Sequence, residues 1–158
     1  MNLVSFTYSG KALAEGMRAK IDRFEAALRA RPQVDCPVEH IFRPGEYERV
    51  MTIPPWTQLV GAEHTTEHVF RLVAGAIEVM MDDGIVMLRA PCEFVAGPGL
   101  KRVGRTWEEG AIVANVFANP DDCQDLDIIV ERISTSKNCE LLGNRPALKN
   151  EVQSWLLG

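Results

Sequence analysis

The pattern of apolar positions divides the chain into a helical start, a long β-rich middle and a short tail. In residues 9–32 the apolar side chains recur at intervals of four, four, three and four, at Leu13, Met17, Ile21, Phe24 and Leu28. That spacing places them on one face of a helix, and Pro32 stops the run. We therefore predict an N-terminal helical extension within residues 1–33.

Residues 34–133 contain short β-rich segments and no helical period. VEHIF, YERVMTI, AIEVMM, IVMLRA, AIVANVF and LDIIVERI alternate with Gly-, Pro- and Asp-containing turns, and Asp83-Gly84 marks a hairpin. So many short strands need closure or stacking to protect their edges. The pattern predicts an all-β domain, an antiparallel sandwich or barrel, over residues 34–133.

The tail, residues 134–158, is predicted to be a linker at 134–138 followed by a short C-terminal helix. Asn144 is the candidate cap, and an apolar stripe follows at Leu148, Val152, Trp155 and Leu156. A helix this short is marginal alone, so we expect it to dock on the barrel or on a second subunit. Together with the N-terminal stripe, it predicts a homodimer.

Composition and charge narrow the class of protein. A chain of 158 residues suits one domain with its own core. The net charge of −5 and pI of about 5.2 argue against a nucleic-acid partner. No apolar stretch is long enough for a bilayer, no export signal is visible, and the four cysteines lack C-x-x-C spacing. We expect reduced thiols and a cytoplasmic protein with no membrane partner.

The candidate chemistry begins at HTTEH, which holds two of the three histidines, His64 and His68. Two imidazoles suit Zn, Fe, Mn or Ni, but a stable divalent metal site wants a third ligand. Glu63, Glu67 and His40 are the candidates for it. The alternative is a histidine pair that is hydrogen-bonded in a polar pocket without a metal.

The spacing around these histidines resembles the first motif of the cupin superfamily. That motif has two histidines separated by one residue, a glutamate four residues after the second histidine, and a glycine seven residues after the glutamate. In this chain Gly75, in VAGAIEV, takes the place of the glycine. His68 then stands for the glutamate, His64 for the second histidine and Ala62 for the first.

The second cupin motif resembles GPGLKR, with Gly99 for its glycine and Arg102 for its histidine. The resemblance implies a cupin or jelly-roll β-barrel in which Arg102 faces the ligand cavity. A guanidinium there repels a divalent cation and attracts a carboxylate or a phosphate. The alternative is that Arg102 pairs with Glu63, Glu67 or Glu93 and holds the strands in place.

A narrower resemblance links the chain to small single-domain cupins of tailed phages and prophages. The string CPVEHIFRPGEYERVMTIPP, followed by HTTEH and GPGLKRVG, is similar to theirs. The resemblance implies a phage origin, a location in the host cytoplasm or the virion, and phage particle proteins as partners.

Three classes of function follow from these observations. The first is a small-ligand-binding cupin with a pocket of His64, Glu67, His68 and Arg102, which takes a small anion and can hold a divalent metal at His64 and His68. The second is a phage structural or assembly protein that uses the barrel and helices as interfaces. The third is a metal-dependent cupin enzyme of the isomerase or dioxygenase type, whose catalytic residues the sequence does not identify.

Overall fold

The computed structural model describes residues 4–8, 15–81, 84–135 and 147–149. The helices in these residues are α1 (Glu15–Arg29) and α2 (Leu126–Ile133). The strands are β1 (Val4–Tyr8), β2 (Val38–Arg43), β3 (Glu46–Ile53), β4 (Thr57–Val60), β5 (His68–Met81), β6 (Gly84–Arg89), β7 (Cys92–Ala96), β8 (Val103–Ala118) and β9 (Ala147–Lys149).

Two long strands, β5 and β8, run through both halves of a jelly-roll-like β-sheet. The first half of β5 pairs with β7 and with the second half of β8, while the second half of β5 pairs with β6 and with the first half of β8. β3 and β2 extend the first half, and β4 extends the second. The two halves face each other across the main hydrophobic core.

The change from one half to the other takes place at two glycines that meet across the strands. Gly75 on β5 has φ +75° and Gly110 on β8 has φ +64°. A Cβ on Gly75 would lie 2.1 Å from the carbonyl oxygen of Gly110, so only glycine fits there. Their register is also irregular at this point, where β5 shifts against β8.

Helix α1 covers part of the outer surface of the barrel. Ile21, Phe24 and Leu28 are buried against Val60 and Val103. The apolar stripe of this helix is therefore covered by the chain itself, so it no longer argues for a second subunit. Leu13 lies outside the described residues. The homodimer stays a prediction.

The segment LDIIVERI was predicted as a strand, and that prediction is wrong: it forms α2. Asp125 caps the helix, because its side chain accepts hydrogen bonds from the backbone N–H groups of residues 127 and 128. Ile129, Val130 and Ile133 are buried on one face, at helical spacing. The cap and this amphipathic face outweigh the β-propensity of the branched side chains.

The ends of the chain also differ from the sequence-based prediction. The segment Val4–Tyr8 forms a strand that pairs in parallel with β7, although residues 1–33 were predicted as a helical extension. Residues 147–149 were predicted as part of the C-terminal helix and instead form β9, which pairs with β4. In both cases pairing with a distant strand outweighs the local pattern. Asn144, Val152, Trp155 and Leu156 lie outside the described residues.

The predicted fold class is confirmed: a mostly antiparallel jelly-roll-type β-barrel, which two helices accompany in the described part of the chain. Neither of the described helices is long and apolar enough to cross a membrane.

Candidate functional site

A cavity of about 60 Å³ lies between the two halves of the barrel. Its polar lining consists of four side chains, Arg49, His64, Arg102 and Asn115, and the other lining residues are apolar side chains and glycines. None of the described lining residues is an aspartate or a glutamate. The cavity thus combines positive charge with an apolar wall.

Arg49 and Asn115 face each other in the strand register of β3 and β8, and Asn115 faces Phe70 on β5. Arg49 is 1% exposed and Asn115 is 7% exposed. The side-chain oxygen Oδ1 of Asn115 has no hydrogen-bond partner within the described part of the chain. A buried acceptor without a donor is costly, so this oxygen favours a ligand that can donate.

Arg102 follows the turn at Gly99, where φ is +84°. Its guanidinium carbon lies 4.9 Å from the ring centre of Phe70 and 5.8 Å from that of Phe94. Its Nη2 is 3.3 Å from Nε2 of His68. Cation–π contact with two rings and the contact with His68 hold the guanidinium at the cavity wall.

His64 and His68 lie together at this end of the barrel, as the cupin spacing implies. Each is 3% exposed, and their ring centres are 4.4 Å apart in an edge-on arrangement. Both rings lie 5.0 Å from the ring of Phe117. His64 lines the cavity, whereas His68 is behind Arg102 and does not.

The tautomer and charge of His68 follow from its two neighbours. Nδ1 is 3.2 Å from the carbonyl oxygen of Thr66, so this nitrogen is the one placed to donate. Nε2 is then the acceptor for Arg102. Burial, followed by the positive charge of Arg102, lowers the pKa of His68 to about 4. The ring is therefore neutral at pH 7.

Helix α2 closes the barrel end beside the two histidines. Its buried face, Ile129, Val130 and Ile133, packs on Tyr47 and Phe117. The backbone N–H of Thr65 donates to the carbonyl of Ile133 at 2.9 Å, and Ser134 forms a β-bridge with His64. The loop that carries the histidines is therefore tied to the end of the helix.

His40, the third histidine, contacts Tyr47 and is not in ring contact with this pair. Its Nδ1 is 2.7 Å from the hydroxyl of Tyr47, and the two rings stack at 5.9 Å. Burial, and then the charge of Arg49, lowers the pKa of His40. His40 is next to Arg49 in the strand register, and Tyr47 and Phe117 separate its ring from the other two.

Glu67, which we predicted in the pocket, is exposed on an outer groove that also includes Asp121 and Arg132. It is not among the residues that line the cavity. Glu63 bonds to Arg18 on α1, and Glu93 accepts a hydrogen bond from Arg71 at 2.7 Å. The structure therefore brings together His64, His68 and Arg102 from the predicted set and leaves Glu67 outside.

The donor groups around His64 and His68 do not fit a divalent metal. Over residues 15–81 and 84–135 the structure contains no group of three His, Cys, Asp or Glu side chains that could hold one. Nε2 of His68, the ring nitrogen that carries no proton, accepts a hydrogen bond at 3.3 Å from a permanent cation, Arg102. Burial raises the pKa of the Cys92 thiol.

The sequence analysis missed Arg49 and Asn115 as cavity residues. Their signal is the alternation within each strand: Arg49 has the same parity as the apolar Tyr47, Met51 and Ile53. Asn115 likewise shares a face with Val113 and Phe117. A polar residue on the apolar face of a strand indicates a polar position inside the barrel.

Comparison with known proteins gives a similarity of fold. No protein-family model matches the sequence, and no curated protein matches it. Among solved structures, an oxalate decarboxylase–formate complex from Lactobacillus farciminis has a TM-score of 0.52 and 14% identity, over 80% of this chain and 45% of that one.

Two cupin-2 proteins resemble the chain less closely. One from Shewanella frigidimarina has 14% identity and a TM-score of 0.43, over 66% of this chain and 100% of that one. A conserved barrel domain protein from Salinispora arenicola has 14% identity and a TM-score of 0.47, over 59% of this chain and 85% of that one. At such identities the likeness concerns the fold alone.

Proposed function

We propose that the protein binds a compact anion in the barrel cavity through Arg102 and Arg49. The observation that carries the proposal is a cavity with two guanidinium groups and no described acidic residue in its lining. Guanidinium groups form short, charge-assisted hydrogen bonds with carboxylates and phosphates. Because the cavity wall is otherwise largely apolar, such bonds are stronger there than in water.

The surroundings of Arg102 support an anion over a cation. The guanidinium lies over the rings of Phe70 and Phe94, and cation–π contact stabilises its positive charge at the cavity. His68 is neutral at pH 7, so it adds no competing positive charge. The oxalate decarboxylase of similar fold was solved with formate, a small carboxylate.

The test uses formate and inorganic phosphate as probes, with thermal melts and NMR titration of the untagged protein. We expect either anion to raise the melting temperature at millimolar concentration. Arg102→Ala should weaken binding by about one to two orders of magnitude, because a hydrogen bond to a charged group contributes about 1.5–3 kcal/mol.

Arg89→Ala is the matched control, since its side chain is 67% exposed on β6 and does not line the cavity. It removes the same charge and should leave anion binding unchanged. Equal anion affinity in the wild type and Arg102→Ala would contradict the proposal. A lower melting temperature with unchanged affinity would assign Arg102 to holding the barrel together.

A second candidate function is assembly, which one surface favours. Ile85, Val86 and Met87 on β6 are 49%, 38% and 41% exposed. Within the described residues β6 pairs only with β5, so its other edge can pair with the same strand of a second copy. The similarity to phage-encoded cupins supports such a role in a particle.

The predicted homodimer would use this β6 edge. Light scattering at micromolar concentration should then give twice the mass of 17.6 kDa for the wild type and 17.6 kDa for Val86→Lys. A monomeric wild type would refute the dimer.

A further inference from the structure

The cavity is polar at one end and aliphatic at the other, and this difference follows from the strand register. At one level Arg49 on β3 lies opposite Asn115 on β8. Two residues further along β3, Met51 lies opposite Val113, and then Ile53 follows. Arg49 and Asn115 lie beside the end of the barrel that holds His64 and His68, and the residues further along the strands are aliphatic.

The facing half of the barrel continues the aliphatic part. Leu59, Gly104 and Val79 form one row across β4, β8 and β5, and Ile77 follows on β5. All four residues line the cavity. A Cβ on Gly104 would lie 2.9 Å from Cδ1 of Ile77 and 3.5 Å from Cδ2 of Leu59, so the glycine leaves space between these side chains.

The polar end offers an acceptor as well as two cations. Oδ1 of Asn115 is buried at the level of Arg49 and has no hydrogen-bond partner in the described structure. A ligand with only a carboxylate would bind at the arginines and leave this oxygen unmatched. A hydroxyl beside the carboxylate would donate to it.

We infer that the ligand is a short-chain aliphatic 2-hydroxycarboxylate, with its carboxylate at Arg49 and Arg102, its hydroxyl at Asn115 and its alkyl chain beside Gly104. This inference rests on the proposed anion site and specifies its occupant. The volume of about 60 Å³ limits the alkyl chain to a few carbons.

The test is an NMR titration series with formate, butyrate, 2-hydroxybutyrate and octanoate at pH 7. Each buried methylene should strengthen binding roughly fourfold, so butyrate should bind tighter than formate. The hydroxyl should add roughly three- to tenfold through Asn115. Octanoate should bind more weakly than butyrate because its chain exceeds the cavity.

Two variants separate the contributions of the chain and the hydroxyl. Gly104→Ala should weaken butyrate relative to formate, since its methyl group fills the space beside Ile77. Asn115→Leu should remove the preference for 2-hydroxybutyrate over butyrate and keep the preference for butyrate over formate. Folding of each variant is checked by its thermal melt.

The outcomes distinguish this inference from the proposed function. Formate binding that depends on Arg102, with no gain for butyrate or 2-hydroxybutyrate, would overturn the inference and keep the anion site. Octanoate as the tightest ligand would also overturn it. Failure of all four carboxylates and of inorganic phosphate to bind would overturn both.

Discussion

Acidification should destabilise the fold through His68, and the size of the effect follows from its surroundings. The pKa of His68 is lowered from about 6.5 to about 4 by burial and by Arg102. As the pH falls through 6.5, the unfolded chain takes up a proton that the folded chain refuses until about pH 4. The free energy of unfolding therefore falls over this window and is unaffected by His68 above it.

The magnitude is about 3 kcal/mol, since one pH unit of pKa difference corresponds to about 1.4 kcal/mol. Urea unfolding from pH 7.5 to pH 4 measures it, with His68→Gln as the reference because glutamine does not titrate. Carboxylates titrate in both proteins, so the difference between the two curves isolates His68. That difference should change by about 3 kcal/mol between pH 7 and pH 4, with the wild type losing more.

Arg102→Ala provides a second check on the cause. Without the guanidinium, 3.3 Å away, the pKa of His68 should rise toward its usual value, and the pH effect should shrink. Parallel pH curves for the wild type and His68→Gln would refute a buried neutral imidazole at this position. An unchanged effect in Arg102→Ala would leave burial as its only cause.

Three further predictions concern the glycines that join the two halves of the sheet, the cap of helix α2 and the metal content of the protein. Gly75→Ala should destabilise the protein far more than Gly99→Ala in urea unfolding. An alanine at positive φ costs about 1–2 kcal/mol at either position, but of the two only Gly75 would place its Cβ against backbone, at the carbonyl of Gly110. Equal losses of stability in the two variants would contradict this prediction. Asp125→Ala should cost about 1 kcal/mol by removing the cap of α2, and unchanged unfolding would contradict the cap. Elemental analysis of untagged protein purified without chelator should find Zn, Fe, Mn and Ni far below one per chain; a stoichiometric ion would contradict the reading of His64 and His68 as a metal-free pair.

Most of the barrel could be predicted from sequence because its signals are local. Alternation of side chains, Asp83-Gly84 and the turns with glycine and proline predict strands and hairpins. LDIIVERI shows the limit, because branched side chains favour a strand while Asp125 and the helical spacing favour α2. β1 and β9 could not be predicted, since their pairing with β7 and β4 is a tertiary contact.

The candidate site was predictable as far as the glycines fix the register. Gly75 and Gly99 both have positive φ, and the register that they fix brings His64, His68 and Arg102 together. Glu67 could not be placed, because a residue in the turn between two strands can face either side. It faces the outer groove beside α2, a helix that the sequence analysis did not predict.

A cation is present at this end of the barrel whether or not a metal binds. Arg102 stands at the position of a histidine in the cupin motif that the sequence resembles, and it supplies a permanent positive charge next to a neutral imidazole. An arginine attracts the same anions as a metal ion, but it has no empty coordination positions and binds through directed N–H groups. Selection among anions must then come from the rest of the cavity, and this is the role that we infer for Asn115, Gly104 and the aliphatic wall.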